Sequence, residues 1–102
     1  MSIITQRMVV TQGVLEKLPL VKDANWVAEC ISGMEEMNWG DAMQYEEDVA
    51  QNNEAFNSNL ETGRIVASFT TKRNNEEIKL FIITEKGEDE KPLTTIMLQG
   101  EY

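Results

Sequence analysis

The chain has 102 residues, of which 41% are hydrophobic, and its formal net charge is −9. This length suits one core, so we predict a single domain over residues 1–102. Its apolar runs of about four residues are too short to span a bilayer, no secretory signal pattern is present, and the lone Cys30 excludes a disulfide framework, so we expect a cytosolic protein. The negative charge disfavours direct binding to nucleic acid or to anionic lipid.

The first third of the chain predicts a strand followed by helical segments. Residues 6–11 have a β-branched, apolar centre and precede Gly13, which is typical of a short strand that ends in a turn. Val14 and Leu18 have helical spacing, but Pro19 keeps any helix there short. Asp23 has the chemistry of an N-cap, and a longer amphipathic helix follows it. The apolar positions of that helix recur every three or four residues, at Trp26, Val27, Cys30, Ile31, Met34 and Met37.

The remaining elements predict an α+β fold. Gly40 ends the first long helix and Asp41 caps a second one over residues 42–57, which we expect at the surface with one buried seam. Residues 64–71 and 77–85 have the period-two alternation of strands, with a polar hairpin turn between them, and residues 93–98 form the last strand. The prediction is an antiparallel β-meander sheet of three to four strands packed against two helices, in the order β-α-α-β-β-β, with residues 77–85 as a central strand.

Several kinds of chemistry are excluded by the residues that the chain lacks. Without histidine, neither Ser-His-Asp nor Cys-His catalysis is available, and one cysteine cannot complete a tetrahedral zinc site. The glycines stand singly, so there is no phosphate-binding loop. We therefore predict no catalytic, cofactor or metal site, a non-enzymatic protein, and a buried, inert thiol at Cys30.

An acidic block extends over residues 23–63. It contains ten carboxylates and neither Lys nor Arg, namely Asp23, Glu29, Glu35, Glu36, Asp41, Glu46, Glu47, Asp48, Glu54 and Glu61. One interpretation is a solubilising surface; the other is a negative field, because an ordinary exposed helix mixes charges of both signs. Two such helices side by side would carry one charge per about 2.2 Å, close to the value of about 1.7 Å for duplex DNA. The field would then compete for a basic, nucleic-acid-binding groove.

Two aromatic residues flank the break between the long helices. Trp39 and Tyr45 are either exposed interface anchors or, in the case of Trp39, a cover for the edge of the core. The predicted partner-binding set combines them with nearby carboxylates and comprises Glu35, Glu36, Trp39, Asp41, Tyr45, Glu46, Glu47, Asp48 and Glu54.

Short motifs along most of the chain resemble a family of roughly hundred-residue proteins from phages, plasmids and integrative elements of Gram-positive bacteria. They are, in order, residues 8–14 (MVVTQGV), 39–41 (WGD), 47–48 (ED), 53–55 (NEA), 63–68 (GRIVAS), 79–85 (KLFIITE), 94–98 (TTIML) and 101–102 (EY). The sequence departs from the family pattern at Gln99-Gly100 and in the inserted residues 87–90. The resemblance lends a genetic context and no catalytic residues.

These observations lead to two hypotheses of function. Small acidic proteins of mobile elements resemble inhibitors of host defence, which implies a non-enzymatic inhibitor, specifically of anti-CRISPR type, whose acidic helical face blocks a basic groove of a defence nuclease. The alternative is a small homo-oligomeric or adaptor protein that interacts through its sheet, with charge serving only solubility.

Overall fold

The computed structural model describes residues 2–102, which form a four-stranded sheet, three α-helices and two short 3-10 helices. Strand β1 (Met8–Val10) precedes helices α1 (Gln12–Lys17) and α2 (Val21–Glu35), the first 3-10 helix (Asp41–Gln44) and helix α3 (Glu46–Asn57). Strands β2 (Ile65–Arg73), β3 (Glu76–Lys86) and β4 (Pro92–Leu98) follow, and a 3-10 helix at Gln99–Glu101 closes the chain. The predicted α+β class and the order of the elements are confirmed, with the short α1 as a third helix.

The sheet is mixed, and the prediction of an all-antiparallel sheet is wrong at its first strand. The spatial order is β1-β4-β3-β2, and β2, β3 and β4 form the predicted antiparallel meander with β3 inside it. Strand β1 runs parallel to β4, with Met8 opposite Thr94 and Val10 opposite Ile96. Because all helices lie between β1 and the meander in the chain, β1 can join the sheet in either direction, and local patterns do not specify which.

The core lies between one face of the sheet and the helices. Alternate residues of the strands point into it, among them Ile65, Leu80 and Ile82, which are fully buried. The helices contribute buried side chains such as Cys30 and Met34 to the same cluster. The period-two patterns of the two central strands therefore report the buried face correctly. Within residues 2–102, no helix is both long enough and apolar enough to cross a membrane.

Three helix boundaries differ from the predictions. Helix α2 ends at Glu35 and not at Gly40, because the chain already leaves the helical conformation at Met37, where φ is +62°. Helix α2 begins at Val21, so Asp23 is its third residue; the Asp23 carboxylate accepts a hydrogen bond from the Leu20 N–H at 3.1 Å instead of capping from outside. The predicted helix over residues 42–57 is interrupted at Tyr45, whose backbone is extended between the first 3-10 helix and α3. Residues of the first 3-10 helix and of α3 both line a cleft beside the sheet.

Candidate functional site

Helix α3 is fixed along the outer edge of β2 by side-chain and backbone hydrogen bonds. The Asn52 side-chain amide donates to the Val66 carbonyl at 2.9 Å, and its oxygen accepts from the Val66 N–H at 3.0 Å. Two residues further on, the Ser68 N–H donates to the Trp39 carbonyl at 3.4 Å. These bonds satisfy the backbone groups that an edge strand otherwise leaves open, and they hold α3 beside the sheet.

Gly40 allows the chain to approach β2 at this point. Its φ is +66°, and a Cβ atom would lie 2.0 Å from the Ser68 carbonyl oxygen. Only glycine tolerates both the backbone conformation and the close approach. Gly40 thereby places the Asp41–Gln44 3-10 helix over the β2 edge, at the entrance of the space described next.

A cleft of about 640 Å³ lies between α3, the first 3-10 helix and the sheet face that points away from the core. Its wall on the helical side includes Asp41, Tyr45, Asp48 and Glu54. The sheet and the chain end contribute the opposite wall, whose members are Arg64, Val66, Ser68, Lys79, Phe81 and Tyr102. The cleft therefore has a carboxylate-rich wall facing a wall that is aromatic and carries two cations.

The side chains of the aromatic wall contact one another. The Phe81 and Tyr102 rings meet edge to face with centroids 4.7 Å apart, and the Arg64 guanidinium lies 5.8 Å from the Tyr102 ring centroid. Arg64 also donates to the Tyr102 hydroxyl at 2.9 Å. These contacts order the last residue against the sheet, and both the π-face and the guanidinium contribute to its binding.

Three of the ten carboxylates of the acidic block are paired with cations from the strands. Asp23, which is 1% exposed, pairs with Arg73; Glu61 lies 2.8 Å from Lys86; and Asp41 lies 3.9 Å from Lys79 and accepts from the Thr70 hydroxyl at 2.7 Å. The other seven form no ion pair within residues 2–102 and are all exposed. They are Glu29, Glu35, Glu36, Glu46, Glu47, Asp48 and Glu54.

Eight of the nine predicted partner-binding residues separate into three groups at the surface. Asp41, Tyr45, Asp48 and Glu54 lie together on the cleft. Glu46 and Glu47 join Asp48 in the first turn of α3, where the helix dipole stabilises negative charge. Glu35 and Glu36, at the carboxyl end of α2, are exposed but do not line the cleft.

Trp39 is a correction to the predicted surface set. Its side chain is fully buried, its ring is inclined against Phe56 with centroids 5.9 Å apart, and its indole N–H donates to Asn53 Oδ1 at 2.9 Å. The side chain fills the core beneath the break between the helices because its large apolar area and its one donor are both satisfied there. Tyr45, by contrast, is 59% exposed.

The sheet wall of the cleft was absent from the predicted site. Lys79 and Phe81 alternate with the core residues Leu80 and Ile82, so their place on the opposite face of β3 is readable from the strand pattern. What the pattern does not indicate is that Tyr102 packs against that face and that α3 lies beside its β2 edge, because these contacts join distant parts of the chain.

The described residues contain no cluster of three or more His, Cys, Asp or Glu side chains that would hold a metal ion. Cys30 is buried, and burial, assisted by the negative charge of Glu29, raises the pKa of its thiol to about 12. A thiol of this kind is protonated and unreactive at neutral pH. The groups on the cleft are carboxylates, cations and aromatic rings, a composition suited to recognising charged and aromatic side chains.

The fold and the cleft define an α+β domain with a mixed four-stranded sheet, a partly covered β2 edge and an exposed acidic helix. No family model, curated protein or solved structure matches this chain.

Proposed function

We propose that this chain is a non-enzymatic binding protein that places the exposed face of α3 and the adjoining cleft against a basic surface of another protein. The observation that carries the proposal is the set of seven exposed carboxylates on α2 and α3 that have no ion pair within residues 2–102. The three paired carboxylates of the acidic block connect the helical part of the chain to the strands through ion pairs. The seven unpaired ones are free to attract cations from a partner.

The amino end of α3 is the densest part of this surface. Glu46, Glu47 and Asp48 occupy consecutive positions in its first turn, and Asp48 and Glu54 continue along the wall of the cleft. Tyr45, beside them, supplies an exposed aromatic ring of the kind that anchors interfaces. Lys or Arg side chains of a partner would contact the carboxylates at the amino end of α3 and the aromatic surface of the adjoining cleft.

The partner class that we propose is a nucleic-acid-binding defence nuclease, with an RNA-guided nuclease as the specific candidate. Such enzymes hold nucleic acid in positively charged channels. Helix α3 carries four unpaired carboxylates over its 12 residues, about one charge per 4.5 Å of helix axis, so it presents a negative surface to such a channel. The motif resemblance to mobile-element proteins supplies a reason to inhibit such an enzyme. Occupation of the channel would exclude the target DNA.

The proposal is tested by competition for DNA binding. RNA-guided nucleases of Gram-positive bacteria, loaded with guide RNA, are titrated with this protein, and the fraction of target DNA bound is measured. Inhibition is expected for the native chain. A variant with Glu46→Lys, Glu47→Lys and Asp48→Lys is expected to be at least about ten-fold less potent, which corresponds to about 1.4 kcal/mol.

A matched control has the same change in net charge at exposed positions outside the acidic block, by Glu16→Lys, Glu85→Lys and Glu88→Lys. Its potency is expected to stay within about two-fold of the native value. Circular dichroism of both variants establishes that they are folded. Equal loss of potency in both variants, or no displacement of DNA by the native chain at saturation, contradicts the proposal.

A further inference from the structure

The outer edge of β1 is an open strand edge. Within residues 2–102, β1 pairs with β4 on one side and with no strand on the other. Its three side chains are about half exposed, with Met8 at 47%, Val9 at 49% and Val10 at 40%. An apolar edge with free backbone groups is the feature through which sheets extend into another chain.

The alternating direction of the backbone groups determines which N–H and C=O groups of β1 are free to bond with another strand. The Arg7 carbonyl accepts from the Thr94 N–H, and the Thr11 N–H donates to the Ile96 carbonyl, so both residues face β4. Backbone groups alternate in direction along a strand, so Val9 also faces β4. The N–H and C=O groups of Met8 and Val10 therefore point outward, away from the sheet.

We propose that this edge pairs with β1 of a second copy of the chain, antiparallel and with the two-fold axis at Val9. In this register, Met8 of each copy lies opposite Val10 of the other, and each of the two pairs exchanges two hydrogen bonds. Four backbone hydrogen bonds join the copies, and a continuous eight-stranded sheet results. The same surface serves both copies, as a two-fold interface requires.

Charge at the ends of the strand fits this self-pairing. The register places Arg7 of one copy opposite Thr11 of the other, and the Thr11 hydroxyl donates to Glu101 Oε1 at 2.7 Å within its own chain. Arg7 is 41% exposed at its side chain while bound to Asp89. The register therefore places the Arg7–Asp89 ion pair of each copy beside the Glu101 carboxylate of the other, so each guanidinium has a second carboxylate near it across the axis.

The topology also reduces the electrostatic repulsion between two chains that each carry a net charge of −9. Helix α3 lies along β2, at the far edge of the sheet from β1. Seven strand spacings of about 4.8 Å would separate the two β2 strands, so the two copies of α3 lie at least about 34 Å apart, several times the Debye length of about 8 Å at physiological ionic strength. The Asn52 amide and the Trp39 carbonyl cover the first part of the β2 edge at Val66 and Ser68, which disfavours continued pairing there.

The experiment is sedimentation equilibrium of the full chain over a range of concentrations, with two variants at Met8. We expect the native chain to shift from 11.6 kDa to twice that mass as its concentration rises. Met8→Pro removes an outward N–H that makes no bond within the chain, and it is expected to raise the dimer Kd at least about ten-fold. Met8→Ala keeps the N–H and is expected to retain the dimer better than Met8→Pro.

Two results overturn the proposal: a native chain that stays monomeric at every concentration, or equal dimer Kd values for Met8→Pro and Met8→Ala. If Met8→Pro does not fold, hydrogen exchange of the native chain decides. The Met8 and Val10 amides are expected to gain protection with rising concentration, whereas unchanged exchange overturns the proposal. Assembly beyond two copies contradicts it as well, because the proposed two-fold pairing uses up the β1 edge of each copy.

Discussion

Asn52 takes the place of a neighbouring strand beside Val66: its side-chain amide donates to the Val66 carbonyl at 2.9 Å and accepts from the Val66 N–H at 3.0 Å. Asn52 itself is 4% exposed, and its partner Val66 is half-buried. The pairing covers the β2 edge at Val66 and positions one wall of the cleft at the same time.

Replacement of Asn52 by Ala should destabilise the fold by about 1–3 kcal/mol, because it leaves the N–H and the carbonyl of the half-buried Val66 without their protein partners. Urea unfolding monitored by circular dichroism measures the change. Gln51→Ala on the same helix is the control, since Gln51 is exposed, and it should change stability by less than about 0.5 kcal/mol. Equal effects of the two substitutions would show that the Asn52 pairing contributes nothing.

Asp23 should make the stability depend on pH in the acid range. Burial raises its pKa, but hydrogen bonds from the Arg73 side chain and the Leu20 N–H, together with nearby positive charge, outweigh burial and lower the pKa below 3.8. A depressed carboxyl pKa contributes stability above the unfolded value, and this contribution is lost as the pH falls through the folded value.

Asp23→Asn should therefore lower the melting temperature at neutral pH. The difference in melting temperature between this variant and the native chain should become smaller as the pH falls from about 5 to about 2. Thermal unfolding over this range measures both effects. Glu29→Gln, an exposed and unpaired carboxylate of the same helix, provides the control. A constant gap between Asp23→Asn and the native chain across the range would contradict the assignment.

Trp39 and Trp26 should differ sharply in solvent access. Trp39 is 0% exposed, whereas Trp26 is partly buried against the core. A Trp26→Phe variant, in which Trp39 is the single tryptophan, should emit at shorter wavelength and resist iodide quenching; Trp39→Phe should show the reverse. Trp39→Ala should also cost about 3–5 kcal/mol of stability, the usual range for a large buried aromatic residue. Efficient quenching of Trp39 in the folded protein would refute its burial.

Cys30 should react with alkylating reagents only when the protein unfolds. Its pKa of about 12 keeps the thiol protonated, and its side chain is buried among core residues. Labelling with iodoacetamide at mildly alkaline pH, followed by mass spectrometry, should be slow in buffer and rapid in denaturing urea. A labelling rate in buffer equal to that of a free thiol would show that Cys30 is accessible.

The strand and helix assignments were readable from local patterns, with errors where a long-range contact prevailed. The alternation of Ile78, Leu80 and Ile82 identifies the buried face of β3 without any knowledge of its neighbours. Asp23 is a residue type that is common at N-caps, yet in the structure its carboxylate also pairs with Arg73, fifty residues away in the chain. Trp39 was ambiguous because burial of an aromatic residue near a turn depends on which helix packs over it.

The candidate site shows the same division. The acidic block was visible as the absence of Lys and Arg over residues 23–63, a property of composition. Its pairing with Arg73, Lys79 and Lys86 was not, because those cations belong to strands that reach the helices only after the sheet forms. The opposite wall of the cleft, from Arg64 to Tyr102, likewise required the tertiary structure.

Composition and spacings of two to four residues were enough to predict the α+β class, the order of the elements, the negative charge and the lack of histidine chemistry. The parallel pairing of β1 with β4, the pairing of Asn52 with the β2 edge, and the identity of the seven unpaired carboxylates became known only from the folded arrangement. Each of these joins residues that are distant in the chain, and contacts of that kind depend on how the sheet and the helices pack as a whole.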